Sequence, residues 1–263
     1  KFAKAGVSGP YDVIVAAGGD GTLNEVVNGI LEADPHPKIA TAILPMGTAN
    51  DFATSAGLVN FSPVSCLKLA AGGPIRPIDV GRLNERYFIN VASGGFGAEV
   101  TASTPPEMKG VLGGAAYSLM AFVTALNFRP YQARLTLDGE LHEETLLMLA
   151  VGNGRQCGGG YRVTPKAFVD DGLLDVVIAH DTGVTQWGSV YQEMANPDVD
   201  QYQFIGHHRV KSLLIETEEP FQMNLDGEPV RGTHFEFEVL EKRLPFVLPG
   251  SSQLLLPVDL PPR

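Results

Sequence analysis

Two short, almost wholly apolar runs each end in a glycine corner that leads into a helix-like segment. This repeated unit limits the fold more than any other feature of the chain. Asp12-Val-Ile-Val-Ala-Ala17 ends in Gly18-Gly19-Asp20-Gly21, and Ile39-Ala-Thr-Ala-Ile-Leu44 ends in Pro45-Met46-Gly47. A strand without polar alternation is covered on both faces, so both runs belong in a parallel sheet. Thr22-Leu23-Asn24-Glu25 has the pattern of a capping box, with Val26, Val27, Ile30 and Leu31 as the apolar face of the helix it opens. Pro35 and Pro37 end that helix. Thr48-Ala49-Asn50-Asp51 reads as a second helix start, and Leu67 to Ala71 as a third helix closed by Gly72-Gly73-Pro74.

Beyond Pro74 the pattern changes to strands punctuated by turns. They are Ile78 to Leu83, Tyr87 to Val91, Ala133 to Leu137, Leu146 to Val151, Leu174 to Ala179, Ser212 to Glu216, Phe221 to Leu225 and Phe235 to Leu240. The expectation is an antiparallel β-sandwich with one long apolar helix, Gly110 to Phe128, attached to it. With 263 residues, one large domain or two smaller ones fit. The expected fold class is therefore α/β plus β. Residues 1–74 form the α/β unit, 75–242 the sandwich, and 243–263 pack back on the first unit.

Charge narrows the partners. Nineteen Lys and Arg against 30 Asp and Glu leave a net charge of -11, which argues against a nucleic-acid surface and against general attraction to an anionic bilayer. Two cysteines, Cys66 and Cys157, make no disulfide framework, so a reduced, cytoplasmic setting is expected. The start Lys1-Phe2-Ala3-Lys4 does not read as a signal peptide. The charge-free stretch between Lys109 and Arg129 reaches the length of a short membrane span, but its glycines, Ser118, Thr124 and Asn127 favour a buried or cleft-lining helix.

The glycine corners carry chemistry. Glycines at 18, 19 and 21 let backbone N–H groups approach a phosphate, and the helix that follows turns its positive end toward the same anion. A carboxylate at Asp20 repels phosphate unless Mg²⁺ lies between them, which points to a nucleotide with its metal. No Gly-Lys-Ser/Thr follows, so this is not a Walker loop. Two successive buried strands ending in Gly-Thr helix starts put both corners on the carboxyl edge of one sheet, where they can hold a polyphosphate between them.

Gly18-Gly-Asp-Gly-Thr-Leu-Asn-Glu25 with Leu44-Pro-Met-Gly-Thr-Ala-Asn-Asp-Phe-Ala53 resembles the diacylglycerol kinase catalytic domain, and within it the bacterial YegS-type lipid kinases. Phe88-Ile-Asn-Val-Ala-Ser-Gly-Gly-Phe-Gly97, Gly152-Asn-Gly-Arg-Gln-Cys-Gly-Gly-Gly160, Asp170-Asp-Gly-Leu-Leu174 and Asn224-Leu-Asp-Gly-Glu-Pro229 extend the likeness over most of the chain. The family opens with a strand and a nucleotide-contacting segment ahead of the first corner. This sequence is expected to begin after them, short of the family pattern by about 45 residues on usual βαβ sizes. The resemblance implies a first domain similar to those of NAD kinases and phosphofructokinases, a lipid headgroup entering the cleft beside the sandwich, and ATP with Mg²⁺ as cofactors. It assigns ATP binding to Gly19, Asp20, Gly21, Thr22, Leu23, Asn24, Glu25 and Thr48. It also assigns a structural Mg²⁺ to the Asp171 carboxylate and the carbonyls of Phe168 and Leu173, hard oxygen donors that suit the ion.

Asp-Gly-Glu occurs twice, at 138–140 and 226–228, and both copies read as hairpin turns. Local physics does not choose between them. The family context Asn-Leu-Asp-Gly-Glu-Pro fits only the second, which leaves Asp138 and Glu140 structural. Glu228 is assigned as proton acceptor from the attacking hydroxyl, with Asp226 beside it supporting metal or base geometry, and the order of the two is left open. The expected activity is transfer of the ATP γ-phosphate to a lipid hydroxyl. An NAD kinase-type enzyme and a catalytically silent lipid-binding protein of the same fold are the alternatives, and peripheral contact with the inner membrane and a homodimer are left open. His207-His208 beside Arg209 is expected in a solvated loop, Cys157 lacks a partner that makes it a nucleophile, and Trp187 is expected to pack. If the Gly110 to Phe128 helix meets lipid, two charges placed on it reduce liposome binding in a flotation assay; unchanged binding argues against the contact.

Overall fold

The computed structural model describes residues 1–95, 130–196 and 202–257. The Gly110 to Phe128 stretch lies outside them, as does the side chain of Trp187. The first lobe is built as the apolar runs dictate: α1 (Phe2–Val7), β1 (Val13–Gly18), α2 (Asp20–Ala33), β2 (Ala40–Pro45), α3 (Asp51–Ser55) and α4 (Pro63–Gly72). β1 and β2 are parallel, with Gly18 opposite Pro45. Leu23, Val27, Ile30 and Leu31 of α2 pack with Ala16, Ile43, Phe52 and Leu58.

The helix starts differ from the sequence pattern. α2 begins at Asp20 with extended Gly19 as its cap and no side-chain cap bond. Thr22 and Glu25 therefore sit inside the helix rather than capping it, because the Asp20 side chain is spent on the amides of Asp51 and Phe52. α3 begins at Asp51 rather than at Thr48. Asn50 holds Gly47 by two reciprocal bonds of 2.9 and 2.7 Å, and this closed turn, with Asn50 at φ 51, keeps residues 47–50 out of the helix.

The remaining strands are β3 (Ile75–Leu83), β4 (Arg86–Phe88), β5 (Val91–Gly95), β6 (Tyr131–Leu137), β7 (Glu140–Gly152), β8 (Gln156–Cys157), β9 (Tyr161–Arg162), β10 (Leu174–His180), β11 (Ile205–Val210), β12 (Ser212–Leu225) and β13 (Glu228–Val247), with α5 (Trp187–Ala195) between β10 and β11. All but β8 and β9 join β1 and β2 in one 11-stranded sheet. The sheet curls so that β3, β4, β12 and β13 share a core with β5, β6, β7 and β10, filled by Phe88, Leu135, Leu149, Val176, Phe221, Phe235 and Phe237. The expected strand at Tyr87 to Val91 is broken at Ile89-Asn90 into β4 and β5. The two runs at Ser212 to Glu216 and Phe221 to Leu225 are one strand with an irregularity between Glu216 and Phe221. β5 and β6 occupy one lane: both pair with β7, Gly95 opposite Met148 and Tyr131 opposite Leu146.

β13 is 20 residues long, far beyond the run read from Phe235 to Leu240. Its charged Glu241-Lys242-Arg243 stretch hides the continuation. Past an irregularity between Leu240 and Leu244 it pairs with β3, and Phe246 sits opposite Thr41 of β2. Leu244, Phe246, Leu248 and Leu254 thus enter the core of the first lobe, as do Ile78, Val80, Ile89 and Val169. The Phe246 ring lies 5.2 Å from that of Phe52. Phe246→Ala removes a fully buried ring from the strand that joins the lobes and is expected to cost about 3–5 kcal/mol in urea denaturation. A loss below about 1 kcal/mol would contradict this role.

Candidate active site

The two glycine corners touch. The Met46 amide donates to the Gly18 carbonyl at 2.9 Å. A Cβ on Gly47 would stand 2.4 Å from the Gly19 Cα, so no side chain fits where the backbones meet. Asp20 bridges the corners: its carboxylate accepts the amides of Asp51 and Phe52, each at 3.0 Å. Gly19 and Asp20 are half-buried here, and Gly21, Thr22 and Thr48 are exposed around them, at the positive end of α2. Leu23 is turned into the core, and its amide is taken by the Gly19 carbonyl at 3.0 Å. Glu25 is exposed on α2.

Asn24, one helical turn after the corner, is buried and reaches across the lobes. Its Nδ2 donates to Asp226 at 3.2 Å. Asp226 and Gly227, with φ of 47 and 102, form the two-residue turn between β12 and β13. The Asp226 carboxylate also accepts the amides of Ile89 (2.7 Å), Asn90 (3.2 Å) and Val91 (2.9 Å). Burial pushes its pKa up to about 6, the three amides work against that rise, and the charge of Asp20 adds to it. Asp226 is thus fully engaged in holding the hairpin. Glu228, two residues on, is exposed and pairs with Leu225 at the mouth of the turn.

The other Asp-Gly-Glu copy has the same local form, with Asp138 at φ 48. Its carboxylate caps the exposed amides of Lys211 and Ser212 between β11 and β12. Identical turn chemistry serves a surface corner there, and Glu140 is exposed beside it.

A third segment closes the site. The Asp51 carboxylate accepts the amides of Gly159 (2.9 Å) and Gly160 (2.7 Å), both at positive φ. Its pKa is raised by burial first, with Asp20 contributing. Gln156 Nε2 donates to the Asp51 carbonyl at 3.1 Å, and Asn90 Nδ2 donates to the Gln156 carbonyl at 2.7 Å. A closed ring results: Asp20, Asp51, Gln156, Asn90, Asp226, Asn24, and back along α2 to Asp20. Asp51, Asn90 and Gln156 lie inside the motif blocks of the sequence, yet only the fold reveals them as ties, because each acts through a backbone group of a distant segment. Cys157, next to the ring, is pushed up to about 12 by burial, with Asp51 and Asp226 adding, so its thiol stays protonated and is no nucleophile.

Phe168, Asp171 and Leu173 are not brought to the corners. They line a separate cavity of about 750 Å³. Asp171 Oδ1 accepts the Leu173 amide at 3.0 Å, and Oδ2 pairs with Arg209. Burial lifts Asp171 to about 6, Arg209 opposes, and Asp175 and Asp79 add. Asp79, bound by the amides of Lys242 and Gly172, is likewise at about 6. Among the described residues no cluster of three or more His, Cys, Asp or Glu side chains is arranged for a metal. The turn offers one carboxylate, already paired with Arg209, and backbone carbonyls of the hard-oxygen kind that a hard cation takes. His207 and His208 lie on β11 rather than in a solvated loop. Buried Asp175 explains this: it needs a partner, and His207 Nε2 supplies one at 2.7 Å.

Burial of the ring has a pH signature. Asp226, Asp79 and Asp171 hold protons up to about 6 in the folded protein, against 3.8 for a free carboxyl. Stability therefore rises as pH falls through that window and is lost as these groups ionise above it. Asp226→Asn is expected to gain less stability than wild type between about pH 7 and about pH 5 in urea denaturation. An equal gain would show that Asp226 ionises as it does in water.

Residues 1–83 match the family model described as the diacylglycerol kinase catalytic domain, and residues 90–248 match the YegS C-terminal NAD kinase beta sandwich-like domain. A probable lipid kinase YegS-like of Chromohalobacter salexigens is 42% identical over 92% of this chain and 78% of its own length. One from Pseudomonas aeruginosa is 41% identical over 93% of this chain and 79% of its own. Among solved structures, a putative diacylglycerol kinase from Bacillus anthracis superposes with a TM-score of 0.77 at 28% identity, covering 95% of this chain and 81% of that one. With both lobes matched, and the glycine corners and the hairpin ring in place, this chain belongs to the YegS-like lipid kinases of the diacylglycerol kinase catalytic domain family.

Proposed function

We propose that the protein transfers the γ-phosphate of ATP to a hydroxyl of a lipid of the diacylglycerol or phosphatidylglycerol kind, directly and in line. The triphosphate lies across Gly19, Asp20, Gly21, Thr22 and Thr48, against the positive end of α2. Leu23, Asn24 and Glu25 complete that segment by fixing the helix and its link to the hairpin. Bound Mg²⁺ would supply charge neutralisation to the phosphates, while Asp20, whose oxygens accept the Asp51 and Phe52 amides, holds the two corners together. A second, structural Mg²⁺ would be held by Asp171 with the carbonyls of Phe168 and Leu173. Glu228 takes the proton of the attacking hydroxyl, and Asp226 positions it by anchoring the turn. Residues 1–74, with 243–263 returning to them, hold the nucleotide, and 75–242 receive the lipid. The enzyme meets that lipid at a bilayer surface, from the cytoplasmic side.

One observation carries this reading. The Asn24–Asp226 bond ties the hairpin that carries exposed Glu228 to the helix that begins at the glycine corner. No helix among the described residues is long and apolar enough to cross a membrane.

The test is labelled-ATP transfer by the full-length protein to diacylglycerol, phosphatidylglycerol, a sphingoid base and NAD. Phosphate is expected on a lipid, with kcat reduced about 100-fold or more in Glu228→Gln and a comparable loss in Asp20→Asn. Phosphate on NAD alone, or undiminished transfer in both variants, would falsify the assignment.

A further inference from the structure

The cavity of about 750 Å³ that holds the Asp171 turn shares Gln156 with the ring but contains none of the glycine-corner residues and neither Asp226 nor Glu228. Each of its acids has a partner. Asp79 accepts the amides of Lys242 and Gly172, Asp170 accepts that of Leu256, Asp171 pairs with Arg209, and Glu241 pairs with Lys211. Arg209 apart, its cations are not paired in this way. Among the described residues, Arg155, Arg162 and Lys166 form no ion pair, although all three line the wall.

Arg155 shows the imbalance most clearly. Its Nε donates to the Ala167 carbonyl at 2.7 Å and its guanidinium lies 4.8 Å from the centre of the Phe168 ring, which fixes its direction without neutralising it. The favourable charge that acts on it is that of Asp175, a carboxylate already engaged by His207 and Arg209. Arg155 is half-buried, and Arg162, held beside it by the β8–β9 pairing of Gln156 with Arg162, is near enough to repel it. Lys166 is similarly parked on an aromatic face, 4.9 Å from the centre of the Tyr202 ring. In a chain of net charge -11, three cations without ion-pair partners on the wall of one open cavity leave room for an anion that completes them.

We propose that this cavity is a second anion site, separate from the ATP corners, in which Arg155, Arg162 and Lys166 bind a phosphate group. A lipid phosphomonoester headgroup and free inorganic phosphate share that chemistry. The Ser55 and Gln253 side chains on the wall add neutral hydrogen-bonding capacity for the substituents of such a headgroup.

The experiment uses full-length protein saturated with a non-hydrolysable ATP analogue, so that the corners are filled. Calorimetric titration follows with inorganic phosphate, with soluble short-chain phosphatidic acid, and with short-chain diacylglycerol as the uncharged control. Wild type is expected to bind at least one phosphate-bearing probe, and Arg162→Glu/Lys166→Glu to bind it at least about tenfold more weakly, with affinity for the ATP analogue unchanged. Binding of phosphatidic acid alone assigns the lipid headgroup, and binding of both probes assigns the phosphate itself. Rising ionic strength should weaken binding to wild type, a readout that does not depend on the variant folding. No phosphate-bearing probe binding to wild type, or equal binding to both proteins, overturns the proposal. Neither result bears on phosphoryl transfer, which the binding assay does not use.

Discussion

A carboxylate withdrawn from water has to be given hydrogen bonds, and much of this molecule is arranged to give them to Asp226. Its donors come from α2 of the first lobe, through Asn24, and from the Ile89-Asn90-Val91 bend at the entrance to the sandwich. Removing any of these segments leaves a half-buried charge short of partners, a far larger penalty than the net worth of one bond. The positions of two lobes and one hairpin are thereby coupled to the satisfaction of a single side chain. The same logic recurs at Asp51, Asp20 and Asp79, each of which spends its oxygens on backbone amides of another segment. Acidic residues act here as internal ligands, and their mutual repulsion is held in place by amide dipoles rather than by basic side chains.

The covalent route between the lobes supports this polar ring from behind. β3 and β13 pair along their lengths, and the last turns of β13 belong to the core of the first lobe. With Phe246 packed near Phe52, the parallel sheet that carries the glycine corners and the antiparallel sheet that carries Glu228 are parts of one hydrogen-bonded surface. Their relative placement is set by strand register and does not rely on a flexible linker.

The sequence is most legible where backbone demands are local. Gly18, Gly19 and Gly47 announce the corners because only residues without a Cβ allow that approach, and the unbroken apolar runs before them announce a two-sided sheet. The hairpin at Asp226 is equally visible, but so is its twin at Asp138. The two differ only in what their carboxylates reach, three buried amides at the lobe junction or two exposed ones, and that is a property of the fold. The capping box fails for a related reason: Asp20 is claimed by the amides of α3, a partner 31 residues away. The far end of β13 is hidden because charged residues at an irregularity look like a loop until their neighbours are known. His207 reads as a loop residue because its partner Asp175 sits on the adjacent strand rather than nearby in the chain.

The shared lane of β5 and β6 has an evolutionary consequence. Because β7 grips β5 and β6 in step, Gly95 beside Met148 and Tyr131 beside Leu146, one lane of the sheet is filled by two separate runs of the chain. Each run keeps its own register with β7, so the pairing itself sets no fixed number of residues between Gly95 and Tyr131. Descendants of such a chain are free to vary in length at that point while the glycine corners and the hairpin at Asp226 stay fixed.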